Sequence, residues 1–424
     1  MIIFAESELE HYPFSILHCQ WEIRTGYYKL FERNLQALRE KKAFFIGRQL
    51  HVQSFAARFP IVLSHHQGDY IIPIATDNYL PNNLILRGDT YFSNESLECF
   101  RRARREAGGC MMFTDDNGNP VALILTPDIS VSHIFEQSPC FEQIALHYAH
   151  IVDRTIDIEA DILTSLWCSL DCCGNAIRED EQLLSTLTQY IGDTQKGIFT
   201  EGKVFVGSNV RISPHVVLDA SKGPILIGDN VTIMAHATII GPCAISHNSI
   251  VKIGAKIYEN TAIGEMCKIG GEIENSIIHG YSNKQHEGFL GHSYISEWVN
   301  LGADTNTSDL KNTYAPIDIT LRGKKVSTQR LFLGSLIGDH SKTAIDTALN
   351  TGLAIGIHAQ IATTGAIRKE VPSFSFVTPT GNATFQYDKA LEIASIVMKR
   401  RNKELCKDEI ELMKQEYSLY HEKP

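Results

Sequence analysis

The sequence predicts a left-handed parallel β-helix of the hexapeptide class, preceded by a mixed α/β domain and followed by two helices. Three observations carry the β-helix. Ile227, Ile233, Ile239, Ile245, Val251, Ile257, Ile263 and Ile269 stand six apart without a break. Four residues after several such positions comes a small residue that can also point inward: Val231, Ala237, Cys243, Ala255, Thr261 and Cys267. Glycine often follows the aliphatic residue directly, as in Ile227-Gly228 and Ile263-Gly264. A period of six fits neither an α-helix nor a single strand. It fits short strands joined by tight turns, three to a coil, each sending one aliphatic side chain inward. Stacked coils pair their backbones and close a continuous dry core.

The elements follow in order. Ile2 to Phe4 reads as a first strand, and Tyr27 to Lys41 as a helix with apolar positions at Leu30, Leu35 and Leu38. Ala43 to Ile46, Ile61 to Leu63 and Leu84 to Leu86 read as strands, the last ending at Arg87-Gly88-Asp89. Leu97 to Glu106 is a charged helix. Cys110 to Phe113 and Val121 to Leu125 flank Asp115-Asp116-Asn117-Gly118-Asn119, a hairpin turn signal. These elements make an α/β domain over 1–140, and 141–200 reads as a helical linker region. The β-helix covers 201–371, with the repeat already visible at Val206, Ile212 and Leu218. It is interrupted by non-repetitive stretches at Gly280 to Asn312 and Thr313 to Arg330. It returns in shifted phase at Phe289, Ile295 and Leu301, then at Leu349, Ile355, Ile361 and Ile367. Pro372 ends it. Residues 372–424 hold two helices with stripes at Ala390, Ile393, Ala394, Val397 and at Ile410, Met413, Tyr417.

Composition narrows the function. The chain of 424 residues has 39 basic and 49 acidic side chains, a net charge of -10, which argues against a nucleic-acid surface. No apolar run is long enough to span a membrane, and no signal peptide is visible. None of the ten cysteines has Cys-x-x-Cys spacing. A reducing cytoplasm is the expectation.

Glu272 to His286, and then Glu287 to Thr305 with Val299-Asn300-Leu301-Gly302-Ala303, form a specific stretch. It resembles the acetyltransferase half of the bifunctional N-acetylglucosamine-1-phosphate uridylyltransferase/glucosamine-1-phosphate N-acetyltransferase family. It resembles more closely the related sugar-phosphate nucleotidyltransferases with a hexapeptide C-terminal domain. The family pattern is a His, a short strand, then V-N-x-G-A-G-T, and His286 and Asn300 keep that spacing. Ile337-Gly338-Asp339 matches a later coil. Pro13-Phe14-Ser15 through Trp21-Glu22-Ile23-Arg24-Thr25-Gly26 is similar to the N-terminal signature of the group. The likeness is strong over 265–345 and weak over 1–200.

The resemblance implies a nucleotidyltransferase-like first domain, and a homotrimer whose acyltransferase site lies between neighbouring coils. It implies a cytoplasmic sugar-phosphate N-acetyltransferase serving nucleotide amino-sugar synthesis for the cell envelope, with acetyl-CoA as co-substrate. His286 is then the general base that takes the proton from the attacking amine. Asn300 orients the amine or the His, and the backbone N–H of Ala303 faces the thioester oxygen. Arg368 and Lys369 lie where the family meets coenzyme A phosphates. In the first domain Arg24 and Lys29 are the nucleotide-binding candidates and Asp89 the ligand for Mg²⁺. Small-molecule sugar phosphates and nucleotides are the expected partners.

Departures from the pattern are specific. Glu274 stands where the family has a lysine on the sugar phosphate. Phe289 replaces a hydroxyl-bearing aromatic. Asp304 replaces the second glycine, Asp309 falls near the usual asparagine, and His18 stands for the earlier arginine. Glu274 and Asp309 would repel a phosphate, which weighs against glucosamine 1-phosphate as acceptor. Alternatives are a nucleotidyltransferase whose β-helix only trimerises, a non-catalytic scaffold, and a zinc hydro-lyase. His286 and His292 are six apart, on adjacent faces of a regular coil, so that pair alone forms no metal site.

Overall fold

A computed structural model describes residues 2–41, 43–59, 83–106, 108–126, 129, 134, 140–367 and 370–421. The expected strand Ile61 to Leu63, and Arg368 with Lys369, lie outside the described residues.

The first domain is built on β1 (Ile2–Ala5), β2 (Ala43–Ile46), β3 (Asn83–Arg87), β5 (Cys110–Thr114), β6 (Pro120–Leu125) and β7 (Val152–Asp157), in the order β2-β1-β3-β6-β5-β7. The short β4 (Thr90–Phe92) pairs instead with β8 (Ala160–Ile162). The side chains of β1 alternate between two cores, as a strand buried on both faces requires. Phe4 joins Phe31 and Leu35 of α1 (Leu30–Leu38), Phe55 of α2 (Gln49–Arg58) and Phe100 of α3 (Asn94–Glu106). Ile3 joins Phe141 and Ile144 of α4 (Phe141–Tyr148) on the other side. The stretch 141–200, read as a helical linker, thus supplies α4, β7 and β8 to the first domain, and then α5 (Cys168–Asp180). The exposed residues of β7 hide its strand signal, because an edge strand carries its charges outward.

From Phe199 the chain coils into the β-helix, left-handed and parallel throughout. The first face carries Thr232–Ile233, Ile250–Val251, Lys268–Ile269, Asn283–Lys284, Asn300, Lys342–Thr343 and Gln360–Ile361. The second carries Thr238–Ile240, Lys256–Ile257, Glu272–Glu274, Phe289–Gly291, Asn306–Thr307 and Ala348–Leu349. The third carries Cys243–Ile245, Thr261–Ile263, Ile277–Ile278, Tyr294–Ile295, Ser335–Ile337 and Leu353–Ile355. All eight residues of the unbroken run are buried, as are the six small inward residues. Each buried Ile or Leu contributes about 1.5–3 kcal/mol before chain entropy is set against it.

Two details of the repeat differ from the sequence expectation. Gly280 to Asn312 stays within the coils, because Lys284, Leu290, Ile295, Leu301 and Thr307 hold the inward positions. Ile273 follows Ile269 by four residues, and Ile278 follows Ile273 and Ile295 follows Leu290 by five, where the step is otherwise six; these short steps put Leu290 rather than Phe289 inward. The excursion is confined to the segment ending near Leu333, which forms the hairpin Asp318–Leu321/Lys324–Ser327. The coils also pass Pro372, since Ser375–Thr378 pairs with Gln360–Ile361 before turning back on Gly381–Thr384.

The third face is a platform for the rest of the chain. Its outward side chains, Leu226, Ala244, Ala262, Ile277, Tyr294, Leu336 and Ala354, are fully buried. Over them lie Tyr12, Phe14 and Ile23, then Cys173, Ala176 and Ile177 of α5, then Ile317 and Ile319 of the hairpin. Leu412 and Met413 of the last helix, Lys407–His421, complete the layer, and Tyr387–Lys399 packs beside it. All ten cysteines are free thiols. No helix among the described residues is long and apolar enough to cross a membrane.

Candidate functional site

The residues singled out in the β-helix sit at the corner between its first and second faces. Asn283, Asn300 and Lys342 align on consecutive coils, and the Asn283 amide reaches the Asn300 side-chain oxygen at 3.5 Å. The next corner stacks in the same register, with the Asp304 N–H on the Glu287 carbonyl at 3.0 Å. His286 and Ala303 therefore occupy equivalent places on successive coils. His286 is exposed, Asn300 and Ala303 are half-buried, and the Ala303 carbonyl accepts the Asp346 N–H at 2.8 Å.

Below His286 the corner is two residues short. Gly270 and Gly271 alone connect Ile269 to Glu272, so this corner is recessed under the full-length one that carries His286. Gly271 has φ +71°, and a Cβ there would stand 2.7 Å from the His286 carbonyl oxygen. Only glycine tolerates both the backbone and the approach. Two lysines lie close by. Lys342 Nζ bonds its own coil at the His340 carbonyl, and Lys284 Nζ bonds the Gly270 and His286 carbonyls. Burial holds both ammonium groups down to about 8.

The departures noted in the sequence have local partners. Asp309 Oδ2 accepts from His292 Nδ1 at 2.8 Å, at the corner between the second and third faces. His292 is thus bound to Asp309 on a different edge from His286. Phe289 lies half-buried on the second face, and its N–H donates to the Asn306 side chain at 2.8 Å.

The first-domain candidates do not converge on one open site. Arg24 and Lys29 are each 2% exposed and share one carboxylate of the β-helix, Arg24 Nη2 at 2.7 Å and Lys29 Nζ at 2.9 Å from Glu265. Burial alone would raise the Glu265 carboxyl, but Lys29 and Arg24 hold it well below the usual range. Asp89 is fully buried at the ends of the strands. Its carboxylate accepts from Ser7 Oγ and, at 2.7 Å, from Arg87 Nε. Both its oxygens thus have hydrogen-bond partners within the first domain. Among the described residues no three His, Cys, Asp or Glu side chains are grouped to hold a metal ion.

Sequence reasoning missed the charged seam between the first domain and the β-helix. His18 Nε2 lies 2.8 Å from Asp339 Oδ1, Arg58 grips Glu22 at 2.7 and 2.8 Å, and His279 Nδ1 lies 3.0 Å from Glu297 Oε1. Burial alone would lower the imidazolium of His18, yet the Asp339 and Glu22 carboxylates raise it to about 10. Burial likewise opposes charge on Glu297, but its bond with His279 keeps the carboxyl near 2. This seam borders a cavity of about 1040 Å³ whose lining includes Tyr28, Lys29, Arg58, Glu265, Tyr281 and Trp298. Tyr281 and Trp298 stack at 4.3 Å on the corner between the third and first faces. Ile337-Gly338-Asp339 was legible as a motif, but its bond to His18 spans 321 residues and leaves no local signal.

No model of a known protein family matches the chain. It is similar to the bifunctional sugar-1-phosphate nucleotidylyltransferase/acetyltransferase of Sulfurisphaera tokodaii, at 29% identity over 176 residues, 41% of this chain and 42% of that protein. It is similar to the bifunctional protein GlmU of Synechococcus elongatus at 30% identity, over 40% of this chain and 33% of that one. It also matches an uncharacterized acetyltransferase, YaiX, of Escherichia coli at 28% identity, over 40% of this chain and 74% of the other. The chain thus spans less than half the length of the two bifunctional relatives. The resemblance drawn from the sequence holds at this level of identity.

Proposed function

We propose that the chain is a sugar N-acyltransferase using acetyl-CoA, with His286 as general base. The observation that carries the reading is the stacked pair of corners. His286 stands over a recessed glycine turn with Ala303 in the equivalent place one coil on and Asn300 aligned beside them. That arrangement suits an amine attacking a thioester. His286 takes the amine proton, Asn300 orients the amine, and the Ala303 N–H meets the oxygen on which charge develops. Similarity to proteins named acetyltransferases supports the same class. Arg368 and Lys369 are proposed to meet the coenzyme A phosphates.

The active form in this reading is a homotrimer. The third face is covered by the chain itself, which leaves the corner of His286 free for a neighbouring subunit. Ile253 and Ile345 on that same edge are 61% and 62% exposed, and a neighbour would remove them from water. Asp309 is held by a hydrogen bond from His292 rather than turned to the acceptor, while Glu274 remains half-buried on the second face. The acceptor proposed is an amino sugar that does not rely on the family's phosphate contact. The first domain is proposed to bind a nucleotide in the cavity that Arg24 and Lys29 line beside Glu265, on a different edge from His286.

The test is turnover with saturating acetyl-CoA on a panel of amino sugars, free, 1-phosphorylated and nucleotide-linked, for wild type and His286→Ala. Loss of acetyl transfer in a folded His286→Ala trimer supports the reading. Undiminished turnover removes His286 from the mechanism.

A further inference from the structure

One position of the β-helix core breaks its own rule. On the first face the inward column runs Ile233, Val251, Ile269, Lys284, Leu301, Thr343, Ile361. A lysine, 2% exposed, stands where the neighbouring coils place Ile and Leu. Burying an ammonium among aliphatic groups is costly unless something local answers it.

The answer is the short corner. In two later coils the carbonyl that follows the inward residue is served by a threonine hydroxyl from the same corner, whereas the coils of Ile233 and Val251 carry Ala237 and Ala255 there. Thr305 Oγ1 donates to the Gly302 carbonyl at 2.9 Å, and Thr347 Oγ1 to the Ala344 carbonyl at 2.9 Å. The equivalent carbonyl in the short coil is that of Gly270, and no threonine follows it. In the next coil the equivalent of Thr305 is Gly288, which has no side chain. Lys284 enters the space left by both. Its Nζ donates to Gly270 O at 3.2 Å and to His286 O at 3.0 Å. One ammonium therefore ties the recessed corner to the corner that carries His286.

We propose that Lys284 is a positioning residue for acyl transfer, anchoring the backbone of His286 over the recessed Gly270-Gly271 turn. The proposal rests on the reading of His286 as the base. Lys284 touches neither acceptor nor thioester in it. The charged groups around the ammonium are Glu287, Asp304, Lys256 and Glu272, and Lys256 itself reaches Glu287 at 3.6 Å. Burial outweighs the three acids and leaves the ammonium at about 8, so its charge-assisted bonds weaken within the working pH range.

The experiment compares Lys284→Met, Lys284→Gln and wild type in the full chain. Met restores an apolar column and keeps the volume, so the coil should fold. It should lower kcat about ten- to a hundredfold, the effect of a misplaced base, with the KM for acetyl-CoA nearly unchanged. Gln keeps a neutral donor, and should recover most of kcat while removing the fall in rate above pH 8 expected of wild type. Amide exchange of residues 285–288 is read in parallel, and should speed up in Lys284→Met. Wild-type kcat in Lys284→Met, or unchanged exchange at 285–288, overturns the proposal. If exchange speeds up but His286→Ala retains full turnover, the anchor stands as structure, and the reading of His286 falls, taking the catalytic role of Lys284 with it.

Discussion

Two corners of the same β-helix have been put to opposite uses. The corner between the third and first faces is filled with rings. Tyr281, Trp298, His340, His358 and Phe374 stack one above the next, each with positive φ. Every one of them adopts a conformation that costs an L-residue about 1–2 kcal/mol. Stacking and burial beneath the first domain and the last helices offset that cost. The corner between the first and second faces is mixed: it carries Gly254, Gly271 and Gly288 at positive φ together with His215, His236, Asp304 and Asp346, and is open to solvent at His286. One edge fills its left-handed positions with a buried ring column, and the other meets close backbone approach at Gly271 and Gly288.

The largest expected effect breaks the open corner alone. His286→Ala should lower acyl transfer about 10²–10⁴-fold. The side chain is exposed, so the denaturation midpoint should stay where it is, and a fall in midpoint would show that the residue packs. Trp298→Ala should do the reverse. It removes a buried ring between Tyr281 and His340 and should cost about 3–5 kcal/mol in urea denaturation, with turnover per folded molecule preserved. If turnover falls in step, the two corners are coupled.

Acid should find the ring corner as well. Burial holds His358 neutral, with its pKa down at about 3 against an ordinary value of 6.5. The unfolded chain binds this proton first, so the native state is favoured above pH 6.5 and loses stability as pH falls from there toward 3. Between pH 6.5 and 5 the loss is about 2 kcal/mol. His358→Phe, matching the ring at Phe374, should flatten that slope in denaturation curves taken at several pH values. An unchanged slope would assign the acid sensitivity elsewhere. The smallest effect is at the recessed turn. Gly271→Ala meets both a positive φ and the His286 carbonyl, and should cost about 1–2 kcal/mol. Its turnover should fall further than its stability, and equal activity at equal folding would detach the recessed turn from the site.

The β-helix was legible because its core has a fixed period, and Ile227 through Ile269 all lie where that period places them. Legibility failed where the period slipped. Short steps of four residues from Ile269 to Ile273, and of five from Ile273 to Ile278 and from Leu290 to Ile295, moved the inward position from Phe289 to Leu290. Lys284 was invisible for the same reason, since a lysine carries no signal of an aliphatic column. β7 was missed because edge strands are polar. The motif spacing of His286 and Ala303 corresponds to equivalent places on successive coils, because the corner itself keeps its length there. The pairings of Arg24 and Lys29 with Glu265 were beyond reach, because the two sides lie 241 and 236 residues apart. No local pattern encodes which of many acids a buried cation will meet.

The platform on the third face also sets an order of events at the ribosome. Phe14 rests against Tyr294, a residue made about 280 positions later, and Arg322 of the hairpin and Glu416 of the last helix close over the same region. The first domain therefore emerges with Tyr12, Phe14 and Ile16 uncovered and stays so until most coils exist. During that interval it carries a sticky apolar patch that only its own unfinished chain can cover. A nascent chain of this design carries that patch uncovered for as long as its coils take to be translated.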